Sequence, residues 1–178
     1  MTKTPPHIAT LVLLTATSVL TLNMFLPALP SMRAAFGVSE VVMGRAISLY
    51  MLAAAILLLV LGALSDRIGR RPVVLGVLVF YVGASVVCLL AQNATLFLIA
   101  RTCQAVAVGG SILSSAIVRD LYERDEAAAK LSFIASAMAV APMLAPMIGG
   151  LLDSAFGWRS VFVTYTVLGA GLLLWCLR

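Results

Sequence analysis

Long stretches of this chain, two of them in its middle and later parts, carry no charge over at least the length needed to cross a bilayer. Val73 to Ala100 contains no Asp, Glu, Lys or Arg, and neither does Leu131 to Leu152. At 1.5 Å per residue, about 20 apolar residues cross the roughly 30 Å hydrocarbon layer as a helix. Backbone polar groups in lipid must pair within their own segment, so a run of this kind is helical if it spans. Composition carries the same message. Hydrophobic residues make up 62% and charged residues 11% of the chain, against about 25% charged in a typical soluble domain. So few charges do not cover a water-facing surface.

The formal charge of +5 does not indicate a nucleic-acid partner, because the basic residues lie in short segments between apolar runs. Cys88, Cys103 and Cys176 all fall inside apolar stretches, which argues against a disulfide framework. No His/Cys metal cluster is visible, and His7, the single histidine, reads as a solvated residue before the first apolar run. That run continues from Ile8 to about Leu29. It exceeds the roughly 7–15 residues of a signal-peptide core and is read as a retained helix. Helices are expected at about 8–29, 40–64, 73–91, 95–118, 129–152 and 159–177, with joints at 31–39, 65–72, 92–94, 119–128 and 153–158. Residues 1–178 are thus read as one six-helix transmembrane bundle with no soluble domain.

Lys and Arg in short loops set orientation. One side holds Lys3, Arg67, Arg70, Arg71, Arg119, Arg124, Lys130 and Arg178; the other holds Arg33, Arg45 and Arg159. The first side is expected to be cytoplasmic, with both termini inside. An internal repeat supports two units of opposite sense. Gly62-x-x-x-Asp66-x-x-Gly69-x-Arg71 closes helix 2, and Gly149-x-x-x-Asp153-x-x-x-Gly157-x-Arg159 closes helix 5. The two differ by one inserted residue and fall on opposite sides, as in a 3+3 inverted repeat.

Arg101 lies within helix 4, where a charge costs roughly 2.5–3.5 kcal/mol on insertion scales and so calls for a cavity or a partner. Gln104 follows three residues later on the same helix face. Asn23 of helix 1 comes out at a similar depth, so Arg101 is expected to donate to its amide oxygen, the three together lining a polar cavity. In helix 5, Ala137, Ala141, Ala145 and Gly149 form a stripe at spacing four, flanked by Pro142, Pro146 and Gly150. Small residues at this spacing allow backbone-to-backbone packing, and each proline removes a helix hydrogen bond. A close-packed, kinked pivot helix is expected. Asp66 stands near the C-terminus of helix 2, where an acid opposes the helix dipole and needs a compensating partner.

Several of these segments resemble a known family. Gly62-Ala63-Leu64-Ser65-Asp66-Arg67-Ile68-Gly69-Arg70-Arg71 resembles the signature loop of the major facilitator superfamily. Arg101 and Gln104 resemble its helix 4 motif, with Ala105 in place of a Gly. Ala145-Pro146-Met147-Ile148-Gly149-Gly150 is similar to its helix 5 antiporter motif, with Ala145 in place of a Gly. Asn23 to Pro30, Arg119-Asp120-Leu121-Tyr122 and Gly157-Trp158-Arg159 look like the Bcr/CflA branch of drug:proton antiporters. That branch usually has an acid where Asn23 stands.

The resemblance implies the N-terminal half of a transporter that exports drugs or small metabolites by alternating access, in a bacterial inner membrane. Asn23, Arg101 and Gln104 would serve the substrate cavity and coupling. Gly62, Asp66, Arg67, Gly69, Arg70 and Arg71 would form a cytoplasmic latch, and Pro142, Pro146, Gly149 and Gly150 a pivot. The implied partners are a small-molecule substrate, the lipid bilayer and a second six-helix half; no cofactor, metal, catalytic residue or nucleic acid is implied. A non-transporting module, truncated or an assembly partner, is the alternative. An amide does not titrate, and every Asp and Glu stands at a helix end or in a loop. A proton carrier is therefore expected in the other half or at a boundary acid such as Asp153.

Overall fold

The computed structural model describes residues 7–177. Lys3 and Arg178 lie outside the described residues. Six helices are long and apolar enough to cross a membrane: helix 1, Ile8–Phe36; helix 2, Glu40–Ile68; helix 3, Arg70–Leu90; helix 4, Ala94–Leu121; helix 5, Arg124–Phe156; and helix 6, Arg159–Leu177. The described residues contain no strand. The molecule is an all-α, multi-pass membrane protein.

The helices run further than their apolar cores. Residues 31–36, expected in a joint, continue helix 1, which stops at Gly37 in the left-handed region (φ 62°). Of the expected joint at 65–72, only Gly69 lies between helices 2 and 3. Helix 4 continues to Leu121 and helix 5 begins at Arg124, so the joint expected at 119–128 is also short. Asp153 to Phe156, placed in the last joint, belong to helix 5. Hydropathy marks where a helix leaves the hydrocarbon, not where its backbone hydrogen bonds end. Side-chain caps set three of the starts, the first through His7 Nδ1, which accepts from the Ala9 N–H at 3.3 Å. The Ser39 hydroxyl accepts from the Val42 N–H, and Asn93 Oδ1 accepts from the Leu96 N–H at 2.8 Å.

Helices 1 and 4 are both interrupted. Regular α-helix in helix 1 runs over Ile8–Asn23, gives way to a 3-10 turn at Leu26–Ala28 and resumes at Leu29–Phe36. Pro27 and Pro30 lack N–H groups, so the carbonyls of Asn23 and Leu26 lose their normal donors. Helix 4 has a 3-10 segment at Gln104–Val108 between Ala94–Cys103 and Gly109–Leu121. Helix 5 runs as one α-helix through both Pro142 and Pro146. The interruptions fall in helices 1 and 4.

Helix 3 packs along helix 6, helix 1 along helices 4 and 5, and helix 2 along helix 4. Exchanging helices 1–3 for helices 4–6 turns the 1–5 contact into the 4–2 contact and leaves 1–4 and 3–6 unchanged. The packing therefore follows the internal repeat. Helices 2 and 5 contribute least to the interior. Only 11% and 17% of their most apolar windows is buried, against 56% for helix 4.

Candidate functional site

The end of the bundle carrying Arg67, Arg70, Arg71, Arg119 and Arg124 is called the basic end below, and the opposite end the far end. Between them lies a buried polar network built around the break in helix 1. An α-helix leaves its last carbonyls without intrahelical donors. The Thr21 carbonyl, two residues before the end of the first segment, takes two donors from other helices. Arg101 Nη2 of helix 4 donates to it at 2.6 Å, and the Tyr165 hydroxyl of helix 6 at 3.2 Å. Arg101 Nη1 donates to Gln104 Oε1 at 2.5 Å. Gln104 Nε2 in turn donates to Ser85 Oγ of helix 3 at 2.7 Å. Thr21 Oγ1 and Tyr81 Oη lie 3.0 Å apart and close the ring. Helices 1, 4 and 6 thus meet at one carbonyl and one guanidinium, and helix 3 joins them through Gln104 and the Thr21 hydroxyl.

Arg101 is 0% exposed, which excludes snorkelling to either surface. None of the ion pairs among the described residues involves it. Its charge is offset in two other ways. It sits at the C-terminal, negative end of the Ile8–Asn23 segment, where a cation gains up to about 2 kcal/mol in buried geometries. Its guanidinium carbon also lies 3.9 Å from the Phe25 ring centroid and 4.4 Å from that of Tyr50. A desolvated cation–π contact contributes about 2 kcal/mol. Arg101 Nε finds no acceptor among the described residues.

The pairing of Arg101 with Gln104 follows their spacing. The expected bond to Asn23 is absent. Asn23 is half-buried, and its Nδ2 donates to the Val19 carbonyl at 2.8 Å, one turn back on its own helix. The freed carbonyl of Thr21 takes the guanidinium instead. Thr21, Phe25, Tyr50, Tyr81, Ser85 and Tyr165 were not singled out from the sequence. The one local signal was the Pro27/Pro30 pair, which marks where carbonyls come free. Helix 4 also touches helix 1 through small residues. A side chain at Gly110 would collide with the Leu14 carbonyl, and Ser114 Oγ donates to the Leu11 carbonyl at 3.0 Å.

At the basic end, Asp66 and Arg70 form an ion pair at 2.6 Å. Arg70 Nε reaches Asp120 at the end of helix 4 at 2.8 Å, and its Nη1 also donates to Ser65 Oγ. Asp66 thus has the cationic partner its position called for. Arg71 Nη2 donates to the Leu177 carbonyl at 3.3 Å, while Arg67 is exposed. Gly69 joins the helices at φ 97°, a backbone conformation that suits glycine. Gly62 has open space where a side chain would stand.

On helix 5, Ala141, Ala145 and Gly149 are buried, and the helix lies along helix 1. Gly149 abuts the Met24 carbonyl so closely that a Cβ would overlap it. A Cβ on Gly150 would stand 3.7 Å from Pro27 Cβ. Pro142 is exposed and Pro146 half-buried. The small-residue stripe therefore serves to bring helix 5 against the break in helix 1.

The sequence from residue 11 to residue 178 matches the family model described as Major Facilitator Superfamily. The chain belongs to the major facilitator superfamily. Multidrug resistance protein D of Escherichia coli (strain K12) is 33% identical over 162 residues, covering 90% of this chain and 41% of that protein. Multidrug resistance protein MdtL of Shigella dysenteriae serotype 1 is 34% identical over 154 residues, 86% of this chain and 39% of that protein. A chloramphenicol resistance protein of Pseudomonas aeruginosa is 36% identical, with 85% and 36% covered. The chain thus spans about two fifths of the length of these superfamily relatives. The fold is similar to that in the in meso crystal structure of the POT family transporter PepTSo. The TM-score is 0.82 at 17% identity, over 98% of this chain and 37% of that one.

Proposed function

We propose that this chain is the N-terminal half of a transporter that exports drugs or small metabolites by alternating access. The observation that carries the reading is the buried Arg101 held on the opened end of an interrupted helix. Interrupted helices that gather polar groups inside the membrane are the elements on which transporters build substrate and coupling sites. The relatives, named for multidrug or chloramphenicol resistance, support drugs as the substrate class and do not favour a non-transporting module. In this reading Asn23, Arg101 and Gln104 serve the cavity and its coupling. Arg101 and Gln104 do so from within the bundle, by holding helix 1 in its broken form. Asp66, Arg67, Arg70 and Arg71, with the flanking Gly62 and Gly69, form a cytoplasmic latch, and Pro142, Pro146, Gly149 and Gly150 the pivot.

The open faces of helices 2 and 5 support a second six-helix half as partner. The bacterial relatives support an inner-membrane protein, and loop charge supports the basic end and both termini in the cytoplasm. Any proton carrier is placed in the second half or at a boundary acid, since Asn23 does not titrate.

Transport by the complete assembly in liposomes tests this reading. Arg101→Ala is expected to abolish substrate flux in protein that still inserts. Arg101→Lys is expected to restore only part of it, because a lysine lacks the planar fork that reaches Thr21 and Gln104 together. Equal flux from all three forms would remove Arg101 from the mechanism.

A further inference from the structure

Helix 5 touches helix 1 on both sides of its break, within little more than one helical turn. Gly149 lies on the Met24 carbonyl before the 3-10 turn, and Gly150 faces Pro27 within it. Beyond the turn, Asp153 Oδ2 accepts from Ser31 Oγ at 2.7 Å. Positions 149, 150 and 153 share one helix face. The first two contacts are steric, whereas the third is a charge-assisted hydrogen bond into the resumed segment Leu29–Phe36. The other oxygen, Asp153 Oδ1, is buried and has no partner among the described residues. The segment before the break is held by helices 4 and 6, through Arg101 and Tyr165 on the Thr21 carbonyl. The first segment also lies along helix 5, and Phe36 of the second meets Phe97 of helix 4; the Ser31–Asp153 bond is a polar tie between the second segment and helix 5.

We propose that Asp153 is a positioning residue for transport. It fastens the Leu29–Phe36 segment of helix 1 to helix 5 through Ser31 and so fixes the course of helix 1 beyond its break. The proposal rests on the transporter reading above, and it assigns Asp153 a mechanical task distinct from carrying a proton. An oxygen acceptor at this bond holds the far segment to helix 5; without it, the segment follows helix 5 only through van der Waals contact.

Two measurements on the complete protein in lipid test it. The first is hydrogen–deuterium exchange of residues 29–36 in nanodiscs, which needs no transport. Asp153→Ala and Ser31→Ala should each raise exchange in this segment while leaving residues 8–23 unchanged, with Ser154→Ala as a silent control. The second is flux in liposomes alongside equilibrium substrate binding. Each single variant should lower the maximal rate by about tenfold, as for a lost hydrogen bond to a charged group, with binding unchanged. The double variant should be no slower than either single one. Asp153→Asn, which keeps an oxygen acceptor, should leave exchange at residues 29–36 near the wild-type level. Unchanged exchange at residues 29–36, single effects that multiply, or loss of binding in step with rate would each overturn the proposal. Should Asp153→Ala fail to insert, Ser31→Ala removes the same bond from the other side and decides alone. Raised exchange in the variants of an assembly whose wild-type form shows no flux would uphold the fastening and sink the transporter reading separately.

Discussion

The turn between helices 2 and 3 and the turn between helices 5 and 6 are the same device built twice, at opposite ends of the bundle. Gly69 (φ 97°, ψ 156°) and Gly157 (φ 79°, ψ 165°) have nearly the same backbone. Gly69 N–H donates to the Ser65 carbonyl at 3.0 Å, and Gly157 N–H to the Asp153 carbonyl at 2.8 Å. An arginine then reaches across to the end of the opposite repeat's last helix. Arg71 takes the Leu177 carbonyl at the end of helix 6, and Arg159 the carbonyls of Leu89 and Ala91 at the end of helix 3. A cation at a helix C-terminus complements its dipole, which accounts for the same choice at both places.

The two turns differ in what precedes the glycine. Asp66 is 63% exposed and belongs to an ion cluster with Arg70 and Asp120. Asp153 belongs to a packed seam with helix 1. Gly62 stands free where its counterpart Gly149 is pressed on the Met24 carbonyl. One repeat spends its acid on surface electrostatics and the other on interior contact. The same backbone geometry therefore gives a joint that responds to solvent at the basic end and one governed by packing at the far end. At the far end, Phe36, Phe97, Trp158, Phe162 and Tyr165 add a chain of ring contacts from the turn inward to the polar network.

The sharpest way to break this comparison is at the paired glycines. Gly149→Ala places a methyl on the Met24 carbonyl and should destabilise the bundle by about 3 kcal/mol or prevent insertion. Gly62→Ala should leave stability unchanged or slightly raised, since open space and a better helix former replace glycine. Thermal unfolding in detergent reads both, and equal effects would refute the asymmetry. Next in size, Gly69→Ala and Gly157→Ala should each cost about 1–3 kcal/mol, because both glycines occupy backbone space essentially closed to other residues. Here the two turns should agree, and a difference in melting temperature would show that the shared geometry is not what holds them. The smallest effect is expected for Asp66→Asn, at below about 1 kcal/mol and shrinking further in high salt, because exposed pairs are screened. A loss that persists in molar salt would place Asp66 in a packed contact like that of Asp153.

The number of helices, their order and the 3+3 repeat were legible because apolar runs of bilayer length have only one way to satisfy their backbone in lipid. The Arg101–Gln104 pair was legible because spacing of three on a helix is geometry the chain carries locally. Helix ends were less so, since residues such as Ser31, Arg67 and Asp153 leave the apolar pattern while their backbones remain helical. The Arg70–Asp120 pair joins residues 50 positions apart, and neither residue's neighbours announce the other.

What the sequence by itself determined is thus the set of local facts: which segments enter the membrane, where prolines remove donors, and where glycine permits a turn. What the tertiary structure decided is which groups answer the needs those facts create. Pro27 and Pro30 remove two donors from helix 1, yet only the packing of helices 4 and 6 brings Arg101 and Tyr165 to Thr21 rather than to Asn23. Gly149 permits a close approach, yet only the crossing of helix 5 over the break makes the Met24 carbonyl the group approached. The reason is physical. A freed carbonyl or a missing Cβ is a property of one residue, whereas its partner is chosen by the relative placement of whole helices, through contacts between residues far apart in the chain.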